Sequence, residues 1–440
     1  MKVQQFITES LGDSSYLVIA GGVAAAVDPQ RDVRPFLAAA ERLNVSIQYV
    51  FETHVHNDYV SGGRELAALG AHVVAPANAG LQFPHIALED GKDIEFGGAR
   101  LRAVAAPGHT YEHTAYLGIS EKGAVEAAFT GGALLMGSAG RTDLLGSEHT
   151  AELTRLQWQT AQDICAKLAP TSSLFPTHGS GSFCSSTGSA MERSGPLSEE
   201  LIRNPAFLTT SPEEFAAIQL AASPPIPGYY AYMAPINRAG PRVFGAPPEP
   251  PLLELDDVGS TTATVIDIRP RTEFTHGHIP GSLEIEESTS FLAYVGWMIP
   301  FNAPIVLIAA DAAQARRVTV DLFRIGYEDV RGFLPFSEWQ SAGRPIDMLA
   351  AATIGEAREI IADSRLPVVD TRFKDEQKAL PIPHAVELPF DEFRSWAAFA
   401  PPRALVVCAS GQRATMAASA LQKAGREVVA LVEGGAENLV

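Results

Sequence analysis

Only three cysteines, Cys165, Cys184 and Cys408, occur in 440 residues. That count is too small, and odd, so it excludes a disulfide framework, and reduced thiols fit a cytosolic protein. Basic residues are also scarce: 33 Lys and Arg face 51 Asp and Glu, for a net charge of −18. Such a chain lacks the positive footprint that nucleic acid or an anionic membrane demands, so neither is expected as a partner. Long apolar runs are missing too. The longest, Tyr16 to Val27, is too short to span a bilayer and is broken by Gly21-Gly22. The start, Met-Lys-Val-Gln-Gln-Phe, lacks the apolar core of a secretory leader, and the expected location is cytoplasmic.

What is present is an ordinary globular composition, 46% hydrophobic and 19% charged. At about 150 residues per domain, the length predicts two to four domains. Strands are expected at Val23–Asp28, Gln48–Glu52, His72–Ala75 and Leu101–Ala105, and helices at Val33–Leu43, Gly62–Leu69 and Thr150–Leu168. Ser223 to Gly228 and Pro235 to Pro251 are rich enough in proline to predict irregular chain joining two parts. Beyond them one unit is written twice. Val265-Ile-Asp267-Ile-Arg269 recurs as Val368-Val-Asp370-Thr-Arg372, and Ile305 to Ile308 recurs as Ala404 to Val407. The residue after each second strand, Ala309 or Cys408, lies seventeen positions before a glycine, Gly326 or Gly425. A strand, loop and helix repeated at this scale predict two α/β domains with buried parallel strands.

Most of the histidines fall in the first part. In Thr53-His54-Val55-His56-Asn57-Asp58, two histidines at i and i+2 after a strand point the same way and can reach one ion. Pro107-Gly-His109-Thr110 and Pro176-Thr-His178-Gly179 also follow strand-like runs. Neutral imidazoles gathered in this way suit zinc or iron(II). These motifs resemble the metallo-β-lactamase superfamily, with its Thr-His-x-His-x-Asp-His signature. Gly140-Arg141-Thr142-Asp143-Leu resembles its persulfide dioxygenase branch, which uses one iron(II). That resemblance implies iron ligands at His54, His109 and position 132, and a role for Arg141 in holding the carboxylate or phosphate of a thiol carrier. Two positions depart from the pattern: Tyr59 replaces the last signature histidine, and Gly132 replaces an aspartate in Thr130-Gly131-Gly132. Both losses argue against a two-metal hydrolase, whose bridging carboxylate holds the ions ~3.5–4 Å apart. Three outcomes stand open. His56 completes a three-histidine site with His54 and His109, Asp58 or a water stands in for the carboxylate, or the site is empty; His178 is a further candidate ligand.

In the second repeat, Val407-Cys408-Ala409-Ser410-Gly411-Gln412-Arg413 reads as a strand end, a tight loop and a helix start. A cysteine there meets converging backbone N–H groups and the positive helix end, both of which favour thiolate, and Arg413 adds charge. The segment resembles the Cys-x-x-x-x-Arg loop of rhodanese sulfurtransferases. This implies catalytic Cys408 and Arg413, with Ser410 and Gly411 holding the transferred sulfur. The first copy keeps Asp267-Ile-Arg269 and His276-Gly-His278-Ile-Pro280-Gly281 but has Ala309 as its nucleophile position, and alanine carries no sulfur.

The order of parts is similar to bacterial persulfide dioxygenase–rhodanese fusions. The expectation is an α/β protein: an N-terminal αββα sandwich over 1–240, a Pro-rich linker at 241–255, an inactive rhodanese-like domain at 256–346 and a rhodanese domain at 351–440, both with parallel sheets. The resemblance implies thiol persulfides, thiosulfate and sulfite as small-molecule partners, homo-oligomers, iron(II) ahead of zinc, and Cys184 as a sulfur relay. Cys165 is expected to pack in its helix. The leading expectation couples oxidation of a thiol persulfide to sulfite at the metal with sulfur transfer at Cys408. The alternatives are a sulfurtransferase alone beside a non-catalytic binding domain, or a mononuclear thioester hydrolase.

Overall fold

The computed structural model describes residues 1–185, 191–221 and 223–439. The chain divides into two compact units: Met1–Pro247 with Phe323–Gly326, and Pro248–Leu322 with Tyr327–Val440. Among the described residues no helix is long and apolar enough to cross a membrane.

The first unit is two six-stranded sheets. One runs in the order β1 (Lys2–Thr8), β2 (Asp13–Ala20), β3 (Val23–Val27), β4 (Ser46–Phe51), β5 (His72–Pro76) and β6 (Ile86–Leu88). The other contains β7 (Asp93–Phe96), β8 (Ala99–Ala105), β9 (Thr114–Ile119), β10 (Val125–Gly131), β11 (Ser173–Pro176) and β12 (Gly195–Pro196), in the order β12-β11-β10-β9-β8-β7. The apolar stretch from Tyr16 to Val27 is a hairpin whose Gly21-Gly22 turn takes φ of 51° and 82°, a geometry that suits glycine and matches strand twist. Alternation sorts its side chains. Tyr16, Val18, Ala25 and Val27 face Leu101, Tyr116 and Phe129 of the other sheet, whereas Leu17, Ala24 and Ala26 face Phe36 and Ala39 of the helix Arg34–Leu43. The helix Ser147–Cys165 covers the second sheet through Ala161, with Cys165 partly buried alongside it. The result is the αββα sandwich expected.

One expectation fails locally. Pro235 opens a proline-rich stretch expected to be irregular, yet it lies inside the helix Tyr230–Ala239. Proline removes one i→i−4 bond, but Tyr230, Met233, Ala234 and Asn237 are buried, and Asn237 donates its amide to the His56 and Tyr59 carbonyls at 2.9 Å each. Burial and these bonds outweigh the missing one.

In the second unit both sheets are wholly parallel. The first has the order β14-β13-β15-β16, from β13 (Thr264–Asp267), β14 (Leu283–Glu284), β15 (Ile305–Ala309) and β16 (Val330–Pro335). The second has the order β17-β21-β20-β18-β19, from β17 (Ala350–Ala352), β18 (Val368–Asp370), β19 (Val386–Glu387), β20 (Arg403–Val407) and β21 (Glu427–Leu431). β15 and β20 are buried throughout or nearly so, as parallel strands covered on both faces must be. Ala309 and Cys408 stand at equivalent strand ends.

Phe129 joins the two sheets of the first unit. It is 1% exposed and its ring lies 5.5 Å from Tyr16 and 5.4 Å from Phe175. Phe129→Ala should destabilise this unit by about 3–5 kcal/mol. Urea unfolding followed by far-UV circular dichroism checks it, and an unshifted first transition would contradict the packing described.

Candidate metal centre and sulfur-carrying loop

The strands of the sandwich deliver its histidines. The chain after β4 carries Thr53-His54 and His56, that between β8 and β9 carries His109 and His113, and that after β11 carries Thr177-His178; all five of His54, His56, His109, His113 and His178 are at most 1% exposed. Hydrogen bonds settle which ring nitrogens carry protons, an assignment made from the network. The Thr53 hydroxyl donates to Asp28 Oδ2 at 2.8 Å, so its oxygen accepts from His54 Nδ1 at 2.8 Å. His109 Nδ1 donates to the Arg141 carbonyl at 2.7 Å, and His178 Nδ1 donates to Asp13 Oδ1 at 2.9 Å. Each of the three rings therefore presents a bare lone pair at Nε2.

Those lone pairs converge. His54, His109 and His178 offer ligand atoms all within 4.8 Å of one another. His54 Nε2 and His178 Nε2 are 3.4 Å apart, and His109 Nε2 is buried without a hydrogen-bond partner. Lone pairs facing each other repel unless a cation lies between them. Burial, and then the neighbouring imidazoles, holds His54 and His109 well below the usual histidine range, keeping them neutral. Three neutral imidazoles suit zinc or iron(II).

His56 is turned elsewhere. Its Nε2 lies 3.3 Å from Asp28 Oδ1, 3.4 Å from Glu52 Oε2 and 3.0 Å from the Tyr59 hydroxyl, and its ring stacks on Tyr59 with centroids 4.3 Å apart. Burial opposes its charge, but the Asp28 and Glu52 carboxylates prevail and push it up to about 10. Its Nε2 is thus engaged by two carboxylates and a hydroxyl. The three-histidine group thus contains His178 where the sequence reading placed His56; His56 groups instead with Asp58 and His178, or with Asp28 and Glu52. Asp58 lies 3.3 Å from His178 Nδ1, beside Asp13. Burial pushes Asp13 up to about 6, and burial followed by Asp13 pushes Asp58 up to about 7, so the pair holds a proton near neutrality.

Sequence reading overlooked His113, Asp13, Asp28 and Glu52. His113 Nε2 accepts the Gly132 N–H at 2.9 Å, which orients the glycine that replaces the family's aspartate. A Cβ on Gly132 would overlap the His109 ring. No local motif marks these residues; only His113, four positions after His109, carried a spacing signal.

Two implied roles change. Arg141 is 2% exposed, and its guanidinium donates to both Asp143 oxygens at 2.7 Å and to the Phe183 and Pro224 carbonyls at 3.1 and 2.7 Å. It ties loops together instead of presenting an open anion site. Cys184 is buried, with its thiol 3.7 Å from the Tyr230 hydroxyl; burial, then Asp58 and Asp13, raise the thiol well above its ordinary value. A relay needs thiolate, which this setting opposes.

In the second unit Cys408 Sγ accepts the Gly411 N–H at 3.1 Å. Gly411 has φ of 90°, and a Cβ there would overlap the Val432 carbonyl oxygen, so only glycine closes this loop. Ser410 is exposed. Arg413 donates to Glu376 at 2.6 and 2.8 Å and lies 4.4 Å above the Phe373 ring. In the first copy the equivalent Gln314 is an uncharged brace: its amide donates to the Ile268 carbonyl at 2.9 Å and its oxygen accepts Ala310 N–H at 2.8 Å.

The rhodanese-like domain family matches residues 252–334 and 353–440. A metallo-β-lactamase structure from Staphylococcus aureus aligns with 76% of this chain and 99% of its own, at 26% identity and a TM-score of 0.69. The chain joins a metallo-β-lactamase fold to two rhodanese-like domains. Curated relatives of this fusion include hydroxyacylglutathione hydrolases from Acidiphilium cryptum and Gloeobacter violaceus. They are 37% and 42% identical over 23% and 22% of this chain, which spans only 43% and 40% of their length.

The ligand geometry makes a prediction. Protein purified with iron(II) or zinc should hold one ion per chain, and His109→Ala and His178→Ala should each lose about ten- to a hundredfold in affinity, or more, whereas His56→Gln keeps the ion. Metal analysis after dialysis checks this; loss in His56→Gln with retention in His178→Ala would refute the assignment.

Proposed function

We propose that this protein handles sulfane sulfur, moving it through Cys408 and oxidising it at the histidine centre. The observation that carries the first half is the Gly411 N–H donated to Cys408 Sγ at 3.1 Å, in a loop between a buried parallel strand and the helix Gln412–Lys423. Backbone donors and a helix N-terminus favour thiolate and can hold the sulfur of a persulfide. The Cys408 thiolate attacks the outer sulfur of thiosulfate, the S–S bond breaks, and sulfite leaves with the electron pair. A Cys408 persulfide results. An acceptor thiolate then attacks its outer sulfur and restores the Cys408 thiolate, leaving a low-molecular-weight thiol persulfide.

For the second half, His54, His109 and His178 would hold iron(II), or zinc as second choice. When bound, iron supplies the redox chemistry by which dioxygen oxidises a sulfane sulfur. The overall change is thiol persulfide plus dioxygen plus water to thiol, sulfite and two protons. The chain's own residues keep the three imidazoles neutral and aimed: Thr53, the Arg141 carbonyl and Asp13 each bind an Nδ1–H.

A second reading is thioester hydrolysis, supported by the hydroxyacylglutathione hydrolase relatives. Gly132 and Tyr59 remove the bridging carboxylate and a second-site histidine, so such a hydrolase would work with one ion.

Cys408→Ser should lower thiosulfate:cyanide sulfur transfer by about 10³ or more and leave persulfide-dependent oxygen uptake intact. His109→Ala should do the reverse. Transfer surviving Cys408→Ser would overturn the first half. Metal-loaded protein that takes up no oxygen but hydrolyses S-lactoylglutathione would replace the second half with hydrolysis.

A further inference from the structure

The first rhodanese-like copy ends its central strand in Ala309 and carries no nucleophile. We propose that it serves sulfur transfer through Arg271, a positioning residue that orients the Ser410–Gly411 peptide around the Cys408 sulfur. This rests on Cys408 being the sulfur carrier described above.

Arg271 opens the helix Arg271–His276 of the first copy, yet its guanidinium reaches two carbonyls of the second. Nε donates to Val432 O at 3.0 Å and Nη2 to Ser410 O at 3.4 Å. Glu286 anchors it, accepting from Arg271 Nη1 at 2.6 Å and from the Arg271 backbone N–H at 3.0 Å. The Ser410–Gly411 peptide is trans, as are all described peptides, so its C=O and N–H point in opposite directions. A donor fixed on the Ser410 oxygen therefore aims the Gly411 N–H the other way, at Cys408 Sγ 3.1 Å distant. The positive charge also polarises that peptide and strengthens its donation. The second carbonyl matters as well: Val432 O is the atom against which Gly411 packs so closely that no side chain fits.

Other first-copy groups steady the same loop. Tyr294 donates its hydroxyl to Gln412 Oε1 at 3.2 Å, and Gln412 Nε2 donates to Ser288 Oγ at 3.1 Å. The Glu284 N–H donates to Ser419 Oγ at 3.0 Å, on the helix that follows the loop. Tyr294 packs edge-on to Phe390 and Trp297 edge-on to Phe373, with centroids 5.5 and 5.4 Å apart. Of the charged and titratable groups packed here, Arg413 of the second copy and Tyr294 of the first interact with Cys408, Glu376 interacts with both of these, and Glu286 with Tyr294 and Arg271. Arg413 is already taken by Glu376. Arg271 is the cation that acts on the peptide facing the sulfur.

The test is the pH dependence of Cys408 alkylation by iodoacetamide in the full chain, followed on the Cys408 peptide by mass spectrometry. Loss of Arg271 leaves the Ser410 oxygen unheld and so weakens the Gly411 N–H donation to the thiolate; Arg271→Ala should move the alkylation midpoint upward by about half to one pH unit and slow alkylation at neutral pH about three- to tenfold. Its thiosulfate kcat should fall more than its KM rises, and Arg271→Lys should recover part of both. A profile superimposing on wild type in folded Arg271→Ala would overturn the proposal, because a merely packing role leaves the thiol's titration unmoved. If Arg271→Ala does not fold, Arg271→Lys decides: a midpoint raised above wild type by about a quarter to half a unit supports the proposal, and an unshifted one overturns it. Wild-type protein without thiosulfate:cyanide activity would sink the sulfurtransferase reading, whereas the alkylation profile needs no turnover and still decides the role of Arg271.

Discussion

The histidine cluster hangs on one buried carboxylate. Asp28 follows β3 with φ of 48° and is fully buried. It accepts the Thr53 N–H at 2.7 Å, the Thr53 hydroxyl at 2.8 Å, the Thr177 hydroxyl and His56 Nε2 at 3.3 Å. Burial alone would raise its carboxyl, but the His56 charge and these hydrogen bonds outweigh that and hold it below the ordinary carboxylate range. One group thereby ties together the chain after β3, β4 and β11. It sets the Thr53 hydroxyl that fixes the His54 tautomer, and it captures His56 as a cation. Removing one member of such a buried charged set costs about 3–5 kcal/mol, because its partner is left uncompensated.

The two rhodanese-like copies differ at the strand end and loop. Strand, loop and helix persist; Ala309 replaces Cys408 and Gln314 replaces Arg413. Gln314 meets its needs with a carbonyl and an N–H of its own copy. Arg413, as a charge, requires Glu376. The first copy thus lacks the Arg413–Glu376 charge pair without leaving the Gln314 amide unmet, and its outward groups hydrogen-bond the neighbouring loop.

Much of this was legible in the chain itself. Strands ending in Thr-His, Pro-Gly-His and Pro-Thr-His announced a convergence of imidazoles, and the repeated Asp-x-Arg followed by a strand and helix announced the duplicated domain. Backbone alternation and turn residues are local properties, and local sequence carries them. Ring direction is not local. Whether His56 or His178 joins His54 depends on Asp28, Glu52 and Tyr59 around one ring and Asp13 around the other, and Asp13 lies 165 positions from His178. The buried setting of Arg141 likewise depends on Pro224, 83 positions away. Pro235 entered a helix because tertiary burial overrode a local rule.

The two departures from the superfamily signature, Gly132 and Tyr59, are each built into the surrounding packing. At Gly132 the absence of a Cβ admits the His109 ring, and the Gly132 N–H is bound by His113. At Tyr59 the ring stacks on His56 and its hydroxyl donates to the Asp28 carbonyl at 3.1 Å. Each substitution is packed and hydrogen-bonded, so neither leaves a hole. Several buried polar atoms without a hydrogen-bond partner lie instead beside the histidines: His109 Nε2, His113 Nδ1, both Asp58 oxygens and Asp13 Oδ2 are among them. A buried unmet polar group costs about 1–3 kcal/mol, and a shared proton between Asp13 and Asp58 answers only the acidic side of the cluster. The three imidazole lone pairs need a cation. Tyr59 and Gly132 thus leave His54, His109 and His178 free to converge on one point.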